Sequence, residues 1–194
     1  MATIGAANDS EPLASSRPLK AGIYAPIPSF FLPSTEDLGS FNIHHVDLIL
    51  FLWSITDIPT FEAHVARVAK ANVAPVICGS LGEAIHLSHA ERVTLIKAGR
   101  RALDDAGLVN FPIIVGTGAA STRETLELSN EAAAAGADYV IVIASGYFAA
   151  ALTRPALKAF FVEVAEKSPI PVLIYNCDQQ SHHPSNLHPL DTLL

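Results

Sequence analysis

The stretch from Val76 to Glu91, VICGSLGEAIHLSHAE, holds the densest set of groups able to do chemistry. A short apolar run there ends in a glycine-rich turn that carries a hydroxyl, Ser80, and a carboxylate, Glu83. Glycines at 79 and 82 let the backbone fold tightly and present N–H groups to a small anion, while Ser80 adds a donor and an acceptor. The same residues also suit a plain strand-to-helix turn in which the glycines serve geometry alone. Glu83 likewise has two uses, as a general base or as a carboxylate that accepts backbone N–H bonds and fixes the turn. Gly116, Thr117 and Gly118 half match a dinucleotide fingerprint, but Ser121 stands where the third glycine belongs and no acidic residue ends the next apolar run. No nucleotide is expected there, and no other cofactor. His182, His183 and His188 lack a matching ligand pair on a rigid element, so no metal site is expected.

These groups need a frame. Short apolar runs recur at Gly22 to Ile27, Ala74 to Gly79, Pro112 to Gly116, Tyr139 to Ala144 and Pro171 to Tyr175, apolar on successive residues as in strands buried on both faces. Helical patterns separate them, the signature of βα units around a parallel sheet. Ser88 with Glu91 and Ser121 with Glu124 fit the capping box. Asp57 with Pro59 and Thr153 with Pro155 open two more helices, ending near Lys70 and Lys167. Gly107 and Gly136 mark helix ends as left-handed caps. A complete (β/α)8 TIM barrel takes about 250 residues, so five strands in 194 residues predict an α/β chain with an incomplete barrel of about five βα units. On counting alone an open doubly wound sheet also fits.

Composition narrows the partners. Half the residues are hydrophobic and 16% are charged, with a net charge of −7, so the chain is built to bury itself and repels phosphate backbones and anionic lipid. Neither nucleic acid nor membrane is an expected partner, and the longest apolar run, Val46 to Ile55, falls short of the roughly 20 residues that span a bilayer. Two cysteines, Cys78 and Cys177, fit free thiols in a reducing compartment. Met1 to Lys20 has no apolar core of a secretory signal and reads as a disordered lead. The expected location is cytoplasmic, ahead of mitochondrial. The domain spans 21–176, followed by an irregular tail over 177–194.

Gly79, Ser80, Leu81, Gly82, Glu83 and Glu91 together resemble the first signature of the dihydrodipicolinate synthase and N-acetylneuraminate lyase family of class I aldolases. GIYAPIPSFF, GTGAAST, SGYF and PVLIYN resemble its first strand, third strand and turn, the loop after the fourth strand, and its fifth strand, in order. The wording of STEDL, DIPTFEAH and SPIPVLIYN resembles the fungal 4-hydroxy-2-oxoglutarate aldolase-like branch. The resemblance implies a TIM barrel and a Schiff-base lysine on a sixth strand acting on pyruvate or a related 2-oxo acid. It implies that Tyr175 shuttles the proton and Ser80 relays it. It also implies that Ser80 and Leu81 lie at the substrate carboxylate, and that Tyr147 completes a hydroxyl chain across a subunit interface in a homo-oligomer. Leu81 departs from the family's usual hydroxyl or amide at its position, which leaves a backbone N–H to bind there.

The nucleophile is missing. Imine formation needs a lysine deprotonated by desolvation or a neighbouring cation, whereas Lys70, Lys97, Lys158 and Lys167 fall on the expected helices and Lys20 precedes the first strand. Two readings follow: a carbon–carbon or carbon–oxygen lyase by lineage, and a non-catalytic fragment or incorrect gene model as written. Five unclosed strands also predict poor solubility, with the inner face lined by residues such as Ile77 and Val115.

Finally, the 18 residues Gly39 to Thr56 lack a period of 2 or 3.6, and joining Leu38 to Asp57 yields STEDLDIPTFEAH, a natural strand-to-helix connection. We expect transcript sequencing to show this segment removed as a retained intron. A mature message carrying it at full abundance would leave a genuine insertion.

Overall fold

In the computed structural model, residues 17–31, 57–146 and 152–175 are described. The five strands are β1 (Ile23–Pro26), β2 (Val73–Ile77), β3 (Ile114–Gly116), β4 (Tyr139–Ile143) and β5 (Val172–Tyr175). The α-helices are α1 (Ile58–Lys70), α2 (His89–Asp105), α3 (Thr122–Ala135) and α4 (Arg154–Lys167), with a 3-10 turn at Ala84–His86. Segment 39–56, the tail 177–194, Tyr147 and Cys177 lie outside the described residues.

Each strand pairs in parallel with the next, in the order β1-β2-β3-β4-β5. A doubly wound sheet reverses its strand order at a switch point and places helices on both faces. Here the order never reverses, so crossovers of one hand put every helix on the same face, and α1 packs on α2, α2 on α3 and α3 on α4. The sheet is therefore a half-barrel arc, and the doubly wound alternative is excluded.

The helices form where the start signals stand. Asp57 accepts the Thr60 N–H at 3.1 Å and its hydroxyl at 2.7 Å. Ser88 and Glu91 make the full reciprocal capping box. At α3 only half of the expected box forms. Ser121 accepts the Glu124 N–H, while the Glu124 carboxylate reaches across to His89 at 2.8 Å. Gly136 caps α3 in the left-handed region, with φ +106°.

The face that carries Ile77 and Val115 is the outer one, contrary to the sequence expectation. Ile77 sits against α2 so closely that its Cδ1 would lie 2.4 Å from a Cβ at Gly99. Val115 lines a crevice with Val93, Ile96, Leu128 and Ala132 of α2 and α3. Ile77, Val115, Val140 and Val142 are all at 0–1% exposure. Alternation along the strands turns their neighbours inward, and of these Val76, Ile141, Ile143 and Leu173 are only half-buried. Apolar burial is thus concentrated between sheet and helices, with Phe61, Val65, Leu95, Leu103 and Val164 completing that layer.

Beneath the arc, the last residues of the expected lead are fastened to the domain. Arg17 donates to Asp138 Oδ1 at 3.0 Å and to the Val109 carbonyl at 2.6 Å. Asp138, 5% exposed just before β4, also accepts the Ile113 N–H at 2.9 Å. The Leu19 N–H donates to the Tyr139 hydroxyl at 3.0 Å. Above, the Asp57 N–H donates to the Phe30 carbonyl at 2.6 Å. The chain that leaves β1 and the chain that enters α1 therefore meet.

His89 bridges α2 and α3, its Nδ1 2.8 Å from Glu131 and its Nε2 2.8 Å from Glu124. Carboxylates only accept, so both ring nitrogens donate and the ring is held as imidazolium. The hydrogen bond to Glu131, then that to Glu124, raises its pKa above the usual 6.5. A raised folded-state value stabilises fully below pH 6.5 and loses that contribution as pH rises through the folded value. We expect His89→Gln to lower stability near pH 5.5 by about 0.5 kcal/mol, a figure discounted for partly solvated partners, and to have little effect at pH 9. Urea denaturation at the two pH values measures this.

Candidate active site

All five strands run in one direction, so their carboxyl ends form a single rim, the place where parallel barrels keep their sites. Ser80 and Leu81 rise from the turn after β2, and Tyr175 ends β5, paired with Ile143. Ser80 is exposed, Leu81 is 56% exposed and Tyr175 is 41% exposed. The fold thus brings Ser80, Leu81 and Tyr175 to one rim from distant points in the chain.

The turn meets the glycine expectation at position 82 but not at 79, and it bends at other residues. Its positive φ angles fall on Cys78, +55°, and Glu83, +50°. Gly79 has nothing within 4 Å of a would-be Cβ. Close approach does require Gly82, where a Cβ would stand 2.9 Å from the Ile27 carbonyl oxygen, and it also requires a glycine on the neighbouring strand, since a Cβ at Gly116 would stand 2.1 Å from the Cys78 carbonyl oxygen. Only a bare backbone at the end of β3 lets β2 turn there. The turn is then closed by the Glu83 N–H donating to Ser80 O at 3.1 Å and the Ala84 N–H to Gly79 O at 3.3 Å. Ser29, at the exit of β1, ties it down by donating to the Gly82 carbonyl at 2.7 Å.

Glu83 fixes this turn through its left-handed backbone, and its side chain makes no cap hydrogen bond. The polar clamp is Arg92, which sequence reading passed over. Its guanidinium donates to the carbonyls of Ala84, Leu87 (3.4 Å) and Gly116 (3.4 Å), joining the turn to the end of β3. A signal was present. A cation in the first turns of a helix opposes the macrodipole, so Arg92 at that end needs acceptors of its own.

Cys78 is a buried free thiol at 3% exposure. Burial pushes its pKa up to about 12 against the opposing charge of Arg92, so it is a packing group and not a nucleophile. Thr117, 1% exposed, is occupied on the helix side: its hydroxyl lies 3.0 Å from Ser129 Oγ, which itself donates to the Thr125 carbonyl at 2.7 Å. The lysines at 20, 70, 97, 158 and 167 are all exposed, and none lies in a strand. Among the described residues no group of three or more His, Cys, Asp or Glu is placed to hold a metal ion. No described helix is long and apolar enough to cross a membrane.

A parallel βα arc with a serine-bearing turn after its second strand and a tyrosine ending its fifth defines the class: one portion of a (β/α)8 barrel with its site at the carboxyl rim. The sequence profile of the Dihydrodipicolinate synthetase family matches residues 65–192, and the chain belongs to that family. A mitochondrial 4-hydroxy-2-oxoglutarate aldolase from Emericella nidulans is 44% identical over 163 residues, covering 84% of this chain and 47% of that protein. An L-threo-3-deoxy-hexylosonate aldolase from Aspergillus niger is 42% identical over 161 residues, 82% of this chain and 43% of the other. The crystal structure of a dihydrodipicolinate synthase family protein from Coccidioides immitis superposes with TM-score 0.64 at 34% identity, over 82% of this chain and 44% of that one. A prophage family member from E. coli K12, in complex with pyruvate, superposes with TM-score 0.66 at 27% identity, over 84% and 46%. The chain spans about half the length of the relatives it matches.

We expect Arg92→Met to leave the turn's carbonyls poorly paired and to cost about 2 kcal/mol. Urea denaturation reads the loss. Hydrogen exchange would show it as faster exchange across residues 83–87 while β4 stays protected.

Proposed function

We propose that this chain carries the proton-relay and carboxylate-binding portion of a class I aldolase site for pyruvate or a related 2-oxo acid. The observation that carries this reading is the placement of the Ser80 turn and Tyr175 on one carboxyl rim, at the strand positions where the family resemblance puts relay and proton shuttle. Tyr175 suits the shuttle because a phenol both donates and accepts a proton, given a hydroxyl relay such as Ser80. Leu81 offers its backbone N–H to the substrate carboxylate and an apolar side chain beside it. Tyr147, outside the described residues, is proposed to complete the relay of a neighbouring subunit. In the cleavage direction the retro-aldol step breaks the carbon–carbon bond of an imine-linked 2-oxo acid and releases an aldehyde. In the other direction it joins the two.

A second reading has its own support. Every lysine of the chain is exposed, on a helix or ahead of β1, whereas imine formation calls for an amine activated by desolvation or a neighbouring cation. By this reading the polypeptide as given is non-catalytic, and the aldolase activity belongs to its lineage. The proposed compartment is the cytoplasm, supported by the acidic, two-cysteine composition. The mitochondrial location in one relative's name is that relative's.

Pyruvate followed by borohydride, read by intact-mass spectrometry, tests the pair. We expect no adduct and no retro-aldol turnover from this chain. A specific adduct on any of its lysines would overturn the non-catalytic reading. Extending the genomic reading frame past Asn176 tests the lineage, where a strand of the type VVGIK is the expected find.

A further inference from the structure

Two tyrosines of the inner face are engaged away from the rim. Tyr139 opens β4 in phase with Ile141 and Ile143, and Tyr24 lies level with Ala74, in phase with Val76, so both turn inward. Both stand toward the foot of the arc, the end opposite Ser80 and Tyr175. Their hydroxyls converge on one short piece of backbone. Tyr139 accepts the Leu19 N–H at 3.0 Å, while Tyr24 accepts the Lys20 N–H at 3.1 Å and donates to the Lys20 carbonyl at 2.7 Å.

The same segment is held at its other end by charge. Arg17 donates through Nη1 to Asp138 Oδ1 at 3.0 Å and through Nε to the Val109 carbonyl at 2.6 Å. Asp138 Oδ2 accepts the Ile113 N–H at 2.9 Å, with Arg100 Nη1 3.9 Å away. Arg17 and Leu19 are half-buried whereas Pro18 and Lys20 are exposed, as in a segment laid with one side against the domain. Residues 17–20 therefore link the foot of β4 to the foot of β1, and β2 and β3 lie between those strands in the sheet.

A parallel ladder fixes the distance between neighbouring strands at about 4.8 Å. It leaves the bend over four strands to contacts that skip neighbours. The helix layer sets that bend from outside. We propose that residues 17–20 are a strap that sets it from inside, a tie from β1 to β4 across the amino-terminal mouth of the arc. The consequence reaches the rim. β1 leads to Ser29, whose hydroxyl holds the Gly82 carbonyl of the Ser80 turn, and β4 pairs with β5, which ends in Tyr175. Flattening the arc at its foot moves these two sides apart at the top, since the strands run from foot to rim. The strap sets this spacing whatever chemistry the rim performs.

Paired spin labels on the full chain, in a Cys177→Ser background, read the spacing by double electron–electron resonance. Cys78 is buried and stays unlabelled. One label pair, Ile85→Cys with Ala156→Cys, spans the rim from the turn after Ser80 to the amino end of α4, at two exposed positions. A second pair, Lys97→Cys with Arg123→Cys, lies on the exposed surface of α2 and α3 and reports the fold as a whole. Tyr139→Phe removes one hydroxyl and keeps the ring, and Arg17→Met removes the charge that meets Asp138. Each should broaden the rim distance and shift it to longer values, while the helix pair stays unchanged. A rim distance left unmoved by either substitution would overturn the proposal. Equal broadening of both pairs by Tyr139→Phe, the milder change, would do the same, because it marks general loosening and not the loss of a tie.

Discussion

Parallel strands cannot be joined by a tight turn, because each must begin again at the end where its predecessor began. In this chain a helix makes that return between each pair of successive described strands, and the hand of the crossover keeps every one of these helices on one side of the sheet. Two consequences follow directly. Each strand presents one row of side chains to a helix layer that excludes water almost completely, as Ile77, Val115, Val140 and Val142 show. Each strand also ends at the same rim, so groups far apart in sequence, Ser80 and Tyr175, come to one level.

The turn after β2 depends on that arrangement as well as on its own Gly82. Cys78 and Glu83 adopt the left-handed region, a conformation that L side chains avoid unless the surroundings enforce it. Enforcement comes from three directions: the bare backbone of Gly116 on β3, the Ser29 hydroxyl beyond β1, and the Arg92 guanidinium on α2. The serine at the centre of the family signature is therefore held by elements on both sides of β2. The high thiol pKa of Cys78 belongs to the same packing, since a residue buried under this turn cannot be a solvated nucleophile.

The arc holds groups suited to moving a proton and binding a carboxylate, while its amines are all in water. Imine chemistry asks for an amine stripped of solvent, and the interior of a parallel barrel is the environment that strips it. The described strands contribute valine, isoleucine, leucine and tyrosine to that interior and no lysine. The chain spans about half the length of its relatives.

Strand and helix positions were legible in the sequence because they are set locally. Runs of valine and isoleucine, capping residues such as Asp57, Ser88 and Thr153, and the glycines after α2 and α3 act within one or two turns of chain. The family was legible too, since motifs such as the GSLGE turn are contiguous. Which face of a strand met the helices was not. Ile77 and Val76 are both apolar, and only the approach of α2 at Gly99 decides that Ile77 is the one sealed. The partner of Glu124 was equally hidden: local spacing offered it to Ser121, and tertiary packing brought His89 within 2.8 Å. Arg92 became a clamp only when three carbonyls from the turn and β3 converged on it. The sequence by itself determined the elements, their order and the residues of the rim, because those follow from short-range preference and contiguous motif. The tertiary structure decided facing, clamping and the bend of the site turn, because each is settled between residues on different elements whose meeting no local pattern encodes.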